Sequence, residues 1–291
     1  MAIPESQLSQ WSSHWSQASS KQTHKVIRTA LESYSWPKQL TYDFFLQGSY
    51  SNNTNTRGDS DVDVILKLNH AFYHDCSALS PDDQSELEKL FQSATYGWWD
   101  FRREALAALK NEFAAFVEPG NKSIKLKANP PRLAADVVVC LEYRRYISLN
   151  SFVEGITFYA PQDKRWVVNY PKEHRKNGVA KSKRTNDRYK RTVRMLKNAR
   201  NYLVDTKQIS HNLAPSYFLE CLIYNAPDNA FKDSLQDTYC SIINWLNRDD
   251  ISKAVCQNYQ QYLFGTSAEQ WSLNAARTLS DYLEMLWKSW D

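Results

Sequence analysis

The sequence predicts an α+β protein in which a part with a mixed β-sheet precedes a part built of helices. Short alternating or apolar runs, typical of strands, occur between residues 40 and 170. After Pro171 the apolar residues recur at helical spacing instead. The chain has 291 residues, 42% of them hydrophobic and 23% charged, which is ordinary globular composition with room for one large domain or two lobes.

In the first part of the chain, the sequence predicts both helices and strands. Apolar residues three and four positions apart predict a helix in two pieces over residues 4–35, which Pro37 ends. Ser80-Pro81 and Asp100 are typical helix starts, because Ser and Asp cap free N–H groups and Pro fits the first turn. Strands are expected at 40–47, 61–68, 123–127, 133–143, 156–159 and 166–168.

The second part predicts helices throughout. A basic helix carries an apolar face that includes Tyr189, Val193 and Leu196. Further helices are expected at 215–225, at 233–247, at 250–263 and from Ser267, where Ser-Ala-Glu-Gln matches a capping box. We therefore divide the chain into a sheet-containing domain with N-terminal bracing helices, residues 1–170, and a helical domain, residues 171–291.

The cysteines and the apolar runs indicate an intracellular protein, and the histidines indicate no metal site. The five cysteines are odd in number and widely spaced, which favours reduced thiols over a disulfide framework or a zinc site. The six histidines show no metal-ligand spacing, and we assign them to the surface or to ordinary hydrogen bonding. The N-terminus does not resemble a signal peptide, and no run of about 18 apolar residues occurs. We expect a cytoplasmic protein without a membrane partner.

Positive charge is concentrated in one stretch. Twelve Lys or Arg and only two acidic residues lie between Lys172 and Arg200, whereas the whole chain has a formal net charge of +4. This asymmetry favours an anionic partner, either nucleic acid or nucleoside triphosphates. The stretch could be one wall of a nucleotide cleft, a nucleic-acid surface or a solvated helix face.

The stretch from Gly48 to Asp63 carries the clearest chemical signal. An apolar strand runs into a Gly-Ser turn, a polar loop follows, and a second strand begins with Asp61 and Asp63. Side chains alternate along a strand, so these two carboxylates share one face. Mg²⁺ prefers carboxylate oxygens, and a Gly-Ser turn lets backbone N–H groups approach a phosphate. The pattern predicts a metal-dependent nucleotide site.

A third carboxylate is expected on a neighbouring strand, because nucleotide transfer commonly uses two metal ions. Asp136 is the candidate, since it interrupts the apolar strand LAADVVVCLEY, where an unpaired charge would be costly. It could instead lie at a strand end in water or pair with an arginine. Asp59 and Asp61 are a competing pair for the first two ligands. We prefer Asp61 and Asp63, because Asp59 lies in the loop.

These motifs together resemble the polymerase-β-type nucleotidyltransferase superfamily: Gly48-Ser49, then Ser60-Asp61-Val62-Asp63, then Asp136 on a later strand. The resemblance extends to the cGAS/DncV-like nucleotidyltransferases of bacteria through Lys197, Pro215-Ser216-Tyr217-Phe218-Leu219-Glu220 and NYPKEH…TNDRYKRTVRMLKNAR. It covers most of the chain and is weakest at the C-terminal end. It implies a bilobed cage, with a polymerase-β-like catalytic palm in residues 1–170 and a helical lobe in residues 171–291.

The resemblance assigns a role to each matched residue of the palm. Asp61, Asp63 and Asp136 would bind Mg²⁺, with Mn²⁺ as an alternative. Asp136 would also help to activate the attacking ribose hydroxyl. Gly48 and Ser49 would hold the phosphates of the donor nucleotide.

In the helical lobe, Lys197 and Ser216 would hold the triphosphate and Tyr217 would stack on a base. A lysine is a compact charge, a first helical turn has free N–H groups, and a tyrosine ring accepts any base. Without the resemblance, a solvated lysine, a helix cap and a core tyrosine are the simpler interpretations. Asn169 precedes the lobe. In some resembling enzymes an asparagine near this hinge accompanies pyrimidine use, but it could equally cap the following turn.

The resemblance implies a cyclic nucleotide synthase. Such an enzyme joins two or more nucleoside triphosphates, with release of pyrophosphate, into a cyclic di- or oligonucleotide, which would contain uridine if Asn169 recognises that base. These enzymes typically serve bacterial anti-phage (CBASS) defence, so the expected partner is a downstream effector of the product. No Cys and His ribbon interrupts the basic stretch, so activation by nucleic acid is not expected. Two rivals stay open: a template-independent nucleotidyltransferase for RNA, protein or a small molecule, and a nucleotide-binding module without catalysis.

Overall fold

The computed structural model describes residues 2–14, 18–37, 40–56 and 61–290. They form two compact units, each assembled from separate stretches of sequence. The helical unit takes the described residues of Met1–Trp15, Ser51–Asp59 and Glu173–Asp291, and the sheet unit takes those of Ser16–Tyr50 and Ser60–Lys172. The predicted domains are continuous in sequence, whereas the helical unit also draws on two earlier stretches of chain.

The described ranges contain ten α-helices. They are α1 (Glu5–Ser12), α2 (Ala18–Glu32), α3 (Gly48–Asn52), α4 (Pro81–Glu88), α5 (Trp98–Phe113), α6 (Pro171–Arg184), α7 (Arg188–Asp205), α8 (Ser216–Tyr224), α9 (Leu235–Arg248) and α10 (Leu273–Lys288). The N-terminal helix in two pieces is confirmed by α1 and α2, and Ser80 caps α4 as predicted. None of the helices in these ranges combines the length and the apolar character that crossing a bilayer requires.

Seven strands, counted over the described residues, form one mixed sheet in the sheet unit. They are β1 (Tyr42–Leu46), β2 (Val62–Asp75), β3 (Val117–Pro119), β4 (Ile124–Leu126), β5 (Ala135–Ser148), β6 (Ser151–Ala160) and β7 (Arg165–Asn169). Their order is β1-β2-β5-β4-β3, while β6 pairs with β5 and β7 pairs with β6. The two longest strands, β2 and β5, run parallel to each other, and the other pairs are antiparallel.

Alternation along the central strands places a continuous apolar surface on one face of the sheet. Val64 of β2 and Val137 and Val139 of β5 are fully buried there. Trp98 and Phe101 of α5 belong to the same core, and the Trp98 Nε1 donates to the Val139 carbonyl at 2.7 Å. The opposite face of β2 and β5 therefore holds the polar residues of the two strands.

The helical unit is built around α7. Its buried apolar residues include Tyr189, Val193 and Leu196, as the predicted stripe requires. Four helices pack against α7: α1, α8, α9 and α10. Because it is surrounded, α7 also buries the basic residues Arg194 and Lys197.

The helix predicted over residues 250–263 is wrong. The segment forms turns instead, because Asp250 and Asn258 accept hydrogen bonds from backbone N–H groups two residues on and so compete with a helix. The helix predicted from Ser267 begins only at Leu273. Gln270 does accept from the Ser267 N–H, but this contact closes a turn, after which Ser272 caps α10.

Candidate active site

Two of the predicted metal ligands lie side by side because of strand register. Asp63 of β2 and Asp136 of β5 are Cα partners in the parallel pair. Partners in a ladder point to the same face, and this face is the polar one, because the flanking Val62, Val64 and Val137 are buried on the other. Asp61 lies two residues before Asp63, is exposed, and precedes the first residue of β2 rather than starting the strand as predicted.

Asp136 is held by a neighbouring strand segment. The Ser123 hydroxyl donates to Asp136 Oδ1 at 2.9 Å, and Lys125 is the Cα partner of Asp136 across β4. The side chain is partly exposed within the strand. As the second residue of β5 it does lie near a strand end, but it accepts a hydrogen bond from Ser123 and shares a face with Asp63, where its carboxylate can be offered to a ligand.

Gly48 lies directly against the Asp63 carboxylate. Its φ of +69° is in the left-handed region that favours glycine, and a Cβ at this position would lie 2.0 Å from Asp63 Oδ2. The backbone is tied at the same point, since the Gln47 N–H donates to the Asp63 carbonyl at 2.9 Å. The predicted Gly-Ser turn is wrong in detail: Gly48 and Ser49 begin the short helix α3. Gly48 nevertheless lies next to Asp63, the first carboxylate within β2.

The positions of the three aspartates follow from the backbone of the strands, and their side chains do not converge on one point. Over the described ranges, no group of three or more His, Cys, Asp or Glu side chains is arranged to hold a metal ion. Hard carboxylate oxygens on one face nevertheless match what Mg²⁺ binds, and the absence of a side chain at Gly48 provides the space that one of these carboxylates occupies. The alternative ligand Asp59 lies outside the described residues.

Asn169 is the last residue of β7 and shares the polar face with the aspartates. Its Cα partner is Ile156 of β6, and the partner of Ile156 on β5 is Glu142, six positions after Asp136. An even separation along a strand keeps both side chains on one face. Helix α6 begins at Pro171, two residues later, so Asn169 ends a strand and is not its N-cap.

Lys197 lies inside the helical unit. It is fully buried, and its Nζ donates to the Thr54 carbonyl at 2.9 Å. The simpler interpretation of a solvated lysine is therefore wrong. In this position the ammonium contacts protein, and contact with a triphosphate stays a prediction.

Ser216 and Tyr217 occupy the first turn of α8, after Pro215 at the N-cap. The Arg200 guanidinium donates to the Ser216 hydroxyl at 3.0 Å. Tyr217 is 39% exposed, so it is not a core residue. One face of its ring stacks on His174, with centroids 5.2 Å apart and planes 27° apart.

A buried polar cluster beneath these residues was not predicted. Glu220 accepts from His174 Nε2 at 3.0 Å and from the Thr54 hydroxyl at 2.8 Å, and all three residues are buried. Burial alone would raise the pKa of Glu220. The hydrogen bond from His174, the charges of His174 and Lys197 and the Thr54 hydroxyl outweigh burial and hold this pKa below its ordinary value. The assignment of His174 to ordinary hydrogen bonding therefore understates its role.

One signal in the sequence could have found this cluster. Glu220 interrupts the apolar helix SYFLECLIY just as Asp136 interrupts an apolar strand. Thr54 and His174 have no comparable signal, because neither is unusual in its local sequence.

Much of the basic stretch is used inside the helical unit. Lys181 pairs with Asp228 at 2.9 Å, and Arg194 donates to the carbonyls of Ser12 and Asn53 at 2.8 and 2.6 Å. Burial, together with the nearby Arg191, lowers the pKa of Arg194 to about 10. These cations bind a carboxylate and carbonyl groups of the fold, a role that the three interpretations of the stretch did not include.

Comparison with known proteins adds the family relationship. Residues 176–290 match the model of the cGAS/DncV-like nucleotidyltransferase C-terminal helical domain. Over its whole length the chain is 47% identical to the cyclic UMP-AMP synthase of Rhodothermus marinus, with 100% of this chain and 99% of that protein aligned.

Solved structures are similar over the same length. The Rhodothermus marinus CdnE c-UMP-AMP synthase with Apcpp and Upnpp matches with a TM-score of 0.91 at 47% identity, over 99% of this chain and 97% of that chain. The Elizabethkingia meningoseptica CdnE cyclic dinucleotide synthase with GTP and Apcpp matches with a TM-score of 0.78 at 31% identity, over 96% and 97%. The α+β fold, with a polymerase-β-like palm and a C-terminal helical lobe, is confirmed.

Proposed function

Because this chain belongs to the cGAS/DncV-like nucleotidyltransferase family, we propose that it is a cyclic nucleotide synthase that joins UTP and ATP into a cyclic dinucleotide. The observation that carries the proposal is the 47% identity, from end to end, with the cyclic UMP-AMP synthase of Rhodothermus marinus. In each of two steps a ribose hydroxyl attacks an α-phosphate, a new P–O bond forms and pyrophosphate leaves. The first step makes a linear pppNpN, and the second closes it.

Asp61, Asp63 and Asp136 would hold Mg²⁺, or Mn²⁺ in its place, on the polar face of the sheet. When bound, the metal would stabilise the charge that develops on the attacking and leaving oxygens. The Ser123 hydroxyl occupies Oδ1 of Asp136. We therefore assign the other oxygen, Oδ2, to accept the proton of the attacking hydroxyl, since Asp136 projects from the same face of the sheet as Asp63.

Gly48 and Ser49 would hold the donor phosphates beside Asp63. The support for this role is the contact of Gly48 with the Asp63 carboxylate, because it places the backbone N–H groups at the start of α3 next to a proposed metal ligand. Lys197 and Ser216 would neutralise the triphosphate from the helical unit, and Tyr217 would stack on a base through its exposed face.

Asn169 would recognise the pyrimidine base of UTP. Its amide can donate and accept at once, which suits the edge of uracil, and it shares a sheet face with the catalytic carboxylates. Asn169→Ala should lower the use of UTP relative to ATP about tenfold, a typical effect of one paired base contact. Asn150→Ala, an exposed asparagine in the turn after β5, is the matched control and should change nothing.

The decisive experiment incubates the full chain with Mg²⁺ and all four nucleoside triphosphates, one α-labelled at a time. We expect a phosphatase-resistant product that needs both UTP and ATP, with two pyrophosphates released per product. Nuclease digestion then gives the linkage. Label found only on added RNA, on protein or on a small acceptor would support the template-independent rival instead. No incorporation at all would support a module without catalysis.

We further propose that synthesis takes place in the cytoplasm, that the product activates a downstream effector, and that it does so in anti-phage defence. The family resemblance supports these expectations. Added DNA or RNA should leave the rate unchanged, because no Cys and His ribbon interrupts the basic stretch. A rate that rises several-fold with nucleic acid would contradict that part of the proposal.

A further inference from the structure

His174 is enclosed on two sides by residues of one helix. Its Nε2 is 3.0 Å from Glu220 Oε1, and its ring stacks on Tyr217 at a centroid distance of 5.2 Å. Tyr217 and Glu220 are three positions apart on α8 and so lie on the same side of the helix. One residue thus fixes the edge of the imidazole while the other covers its face.

Glu220 is itself fixed by one further contact, whose partner is held in turn. The Thr54 hydroxyl donates to Oε2 at 2.8 Å, and Lys197 holds the carbonyl of Thr54 at 2.9 Å. The carbonyl of His174 accepts from Gln257 Nε2 at 2.7 Å, which anchors the backbone behind the ring. The imidazole therefore lies in a rigid, buried setting, while Tyr217, whose ring stacks on it, is 39% exposed as a residue.

Building on the proposed function, we propose that His174 is a positioning residue that holds Tyr217 ready for the nucleobase. The base would stack on the outer face of Tyr217, so that base, phenol and imidazole form three successive layers. Other contacts of Tyr217 hold mainly its hydroxyl, which is 3.4 Å from the Asn258 amide and also contacts the thiols of Cys221 and Cys256. Trp271 lies beside the ring at a tilted 40°, whereas the imidazole of His174 is stacked on its face at 27°. A ring that is already oriented loses less freedom when the base arrives.

The choice of histidine has a physical cost that supports this role. Within the described residues, His174 Nδ1 is buried and has no hydrogen-bond partner. Leaving a buried polar atom unsatisfied destabilises a fold. A phenylalanine would avoid that cost but would leave Glu220 without its donor, and a glutamine would satisfy Glu220 but could not stack. Histidine does both.

Two substitutions separate these duties. His174→Gln keeps an N–H for Glu220 and removes the flat ring, whereas His174→Phe keeps the ring and removes the N–H. We would measure the dissociation constants of ATP and UTP by calorimetry on the full chain with Mg²⁺, together with Tm. For His174→Gln we expect about 5- to 20-fold weaker binding of one nucleotide, the one that stacks on Tyr217, and unchanged binding of the other.

His174→Phe should bind both nucleotides within about twofold of the wild type, but with a lower Tm, because Glu220 loses a buried partner. Should His174→Gln fail to fold, Glu220→Gln loosens the hold on the imidazole while keeping the shape of the site. It should weaken binding of one nucleotide about 2- to 5-fold.

Equal losses for both nucleotides, or unchanged binding by His174→Gln, would overturn the positioning role. A wild type that binds both nucleotides but releases no cyclic product would overturn the proposed function alone. A wild type that binds neither nucleotide would contradict both.

Discussion

The two units use buried and half-buried acidic residues in opposite ways. In the sheet unit, Asp63 and Asp136 lie side by side on a partly exposed face, with Gly48 leaving space beside one and Ser123 bonded to the other. In the helical unit, Glu220 is 5% exposed and holds His174 and Thr54 inside the fold. The first arrangement keeps carboxylates available for a ligand, whereas the second uses a carboxylate to fix its neighbours.

This difference shows that one local signal has two meanings. An acid within an apolar run must be compensated, because a lone buried charge is costly. At Asp136 the compensation is exposure to a ligand face, and at Glu220 it is a set of protein donors. Removing each kind of acid should therefore affect different properties: activity in the sheet unit and stability in the helical unit.

The largest expected effect is on catalysis. Asp63→Asn keeps the shape of the side chain but removes the charge that would hold Mg²⁺, so the rate of product formation should fall more than about a thousandfold, roughly 4 kcal/mol of barrier. Tm should change little, because the amide has the size of the carboxylate and fits the same space against Gly48. The matched control is Asp75→Asn at the far end of β2, which should keep its activity. Equal losses in both variants would contradict the site assignment.

The largest expected effect on stability is at Glu220. Glu220→Ala leaves His174 and Thr54 buried without their acceptor and should lower the free energy of unfolding by about 3–5 kcal/mol. Urea denaturation followed by circular dichroism would measure it. A loss below about 1 kcal/mol would show that the buried cluster does not stabilise the helical unit.

A smaller loss of unfolding free energy is expected when the buried charge of the sheet unit, Lys67, is removed. Lys67 is 3% exposed and lies 3.0 Å from Glu154 and 3.2 Å from Asp43. Burial alone would lower the pKa of Lys67, but hydrogen bonds and charges from these two acids raise it. Both acids are partly exposed, at 33% and 47% of their side chains, so water can replace the lost partner.

Lys67→Met should therefore cost about 1–3 kcal/mol of unfolding free energy, less than Glu220→Ala. The same urea experiment would compare them directly. If Lys67→Met proved the more damaging variant, exposure of the partners would not be what distinguishes the two units.

Acid should selectively remove the contribution of Glu220. Its pKa in the folded protein lies below the ordinary value of 4.5, so its ionised form stabilises the fold above that pH and this contribution is lost as pH falls through the lower, folded pKa. The stability gap between wild type and Glu220→Gln should stay constant above about pH 6 and shrink below about pH 4.5. A stability gap that widened in acid would show that the pKa of Glu220 is raised and not lowered by folding.

The smallest effects should be equal in the two units. Ser80 caps α4 and Ser234 caps α9, each by accepting from the N–H three residues on, at 3.2 and 3.0 Å. Replacing either serine by alanine should cost about 1 kcal/mol and leave activity unchanged. Equal losses, measured by thermal unfolding, would show that the contrast between the units comes from charge burial and not from helix ends.

The sequence predicted the placement of the candidate residues in the sheet unit better than in the helical unit, and strand periodicity explains why. Alternation along β2 and β5 suffices to put Asp63 and Asp136 on one face once the strands are paired. The matched family motifs supplied Gly48 and Tyr217, but not the contacts that each makes. The close approach of Gly48 to Asp63 joins residues fifteen positions apart, across a stretch that sequence patterns described only as a loop.

The buried cluster could not be predicted, because its members come from three distant stretches. Thr54 follows α3, His174 lies in α6 and Glu220 in α8, and no periodic pattern links them. The turns at 250–263 were missed for another reason: Asp250 and Asn258 bond their own backbone, which overrides a weak helical periodicity. Local propensity was a poor guide wherever side chains competed for backbone groups.

Gly48 has a consequence for the interpretation of related genomes. Every missense change at its codon adds a Cβ, which would push the Asp63 carboxylate aside and would also have to accept a left-handed backbone. The position thus has no conservative replacement, however small the new side chain. When newly sequenced chains are aligned with this one, the residue at position 48 should separate copies that keep the proposed catalytic face from copies that have lost it, before any protein is made.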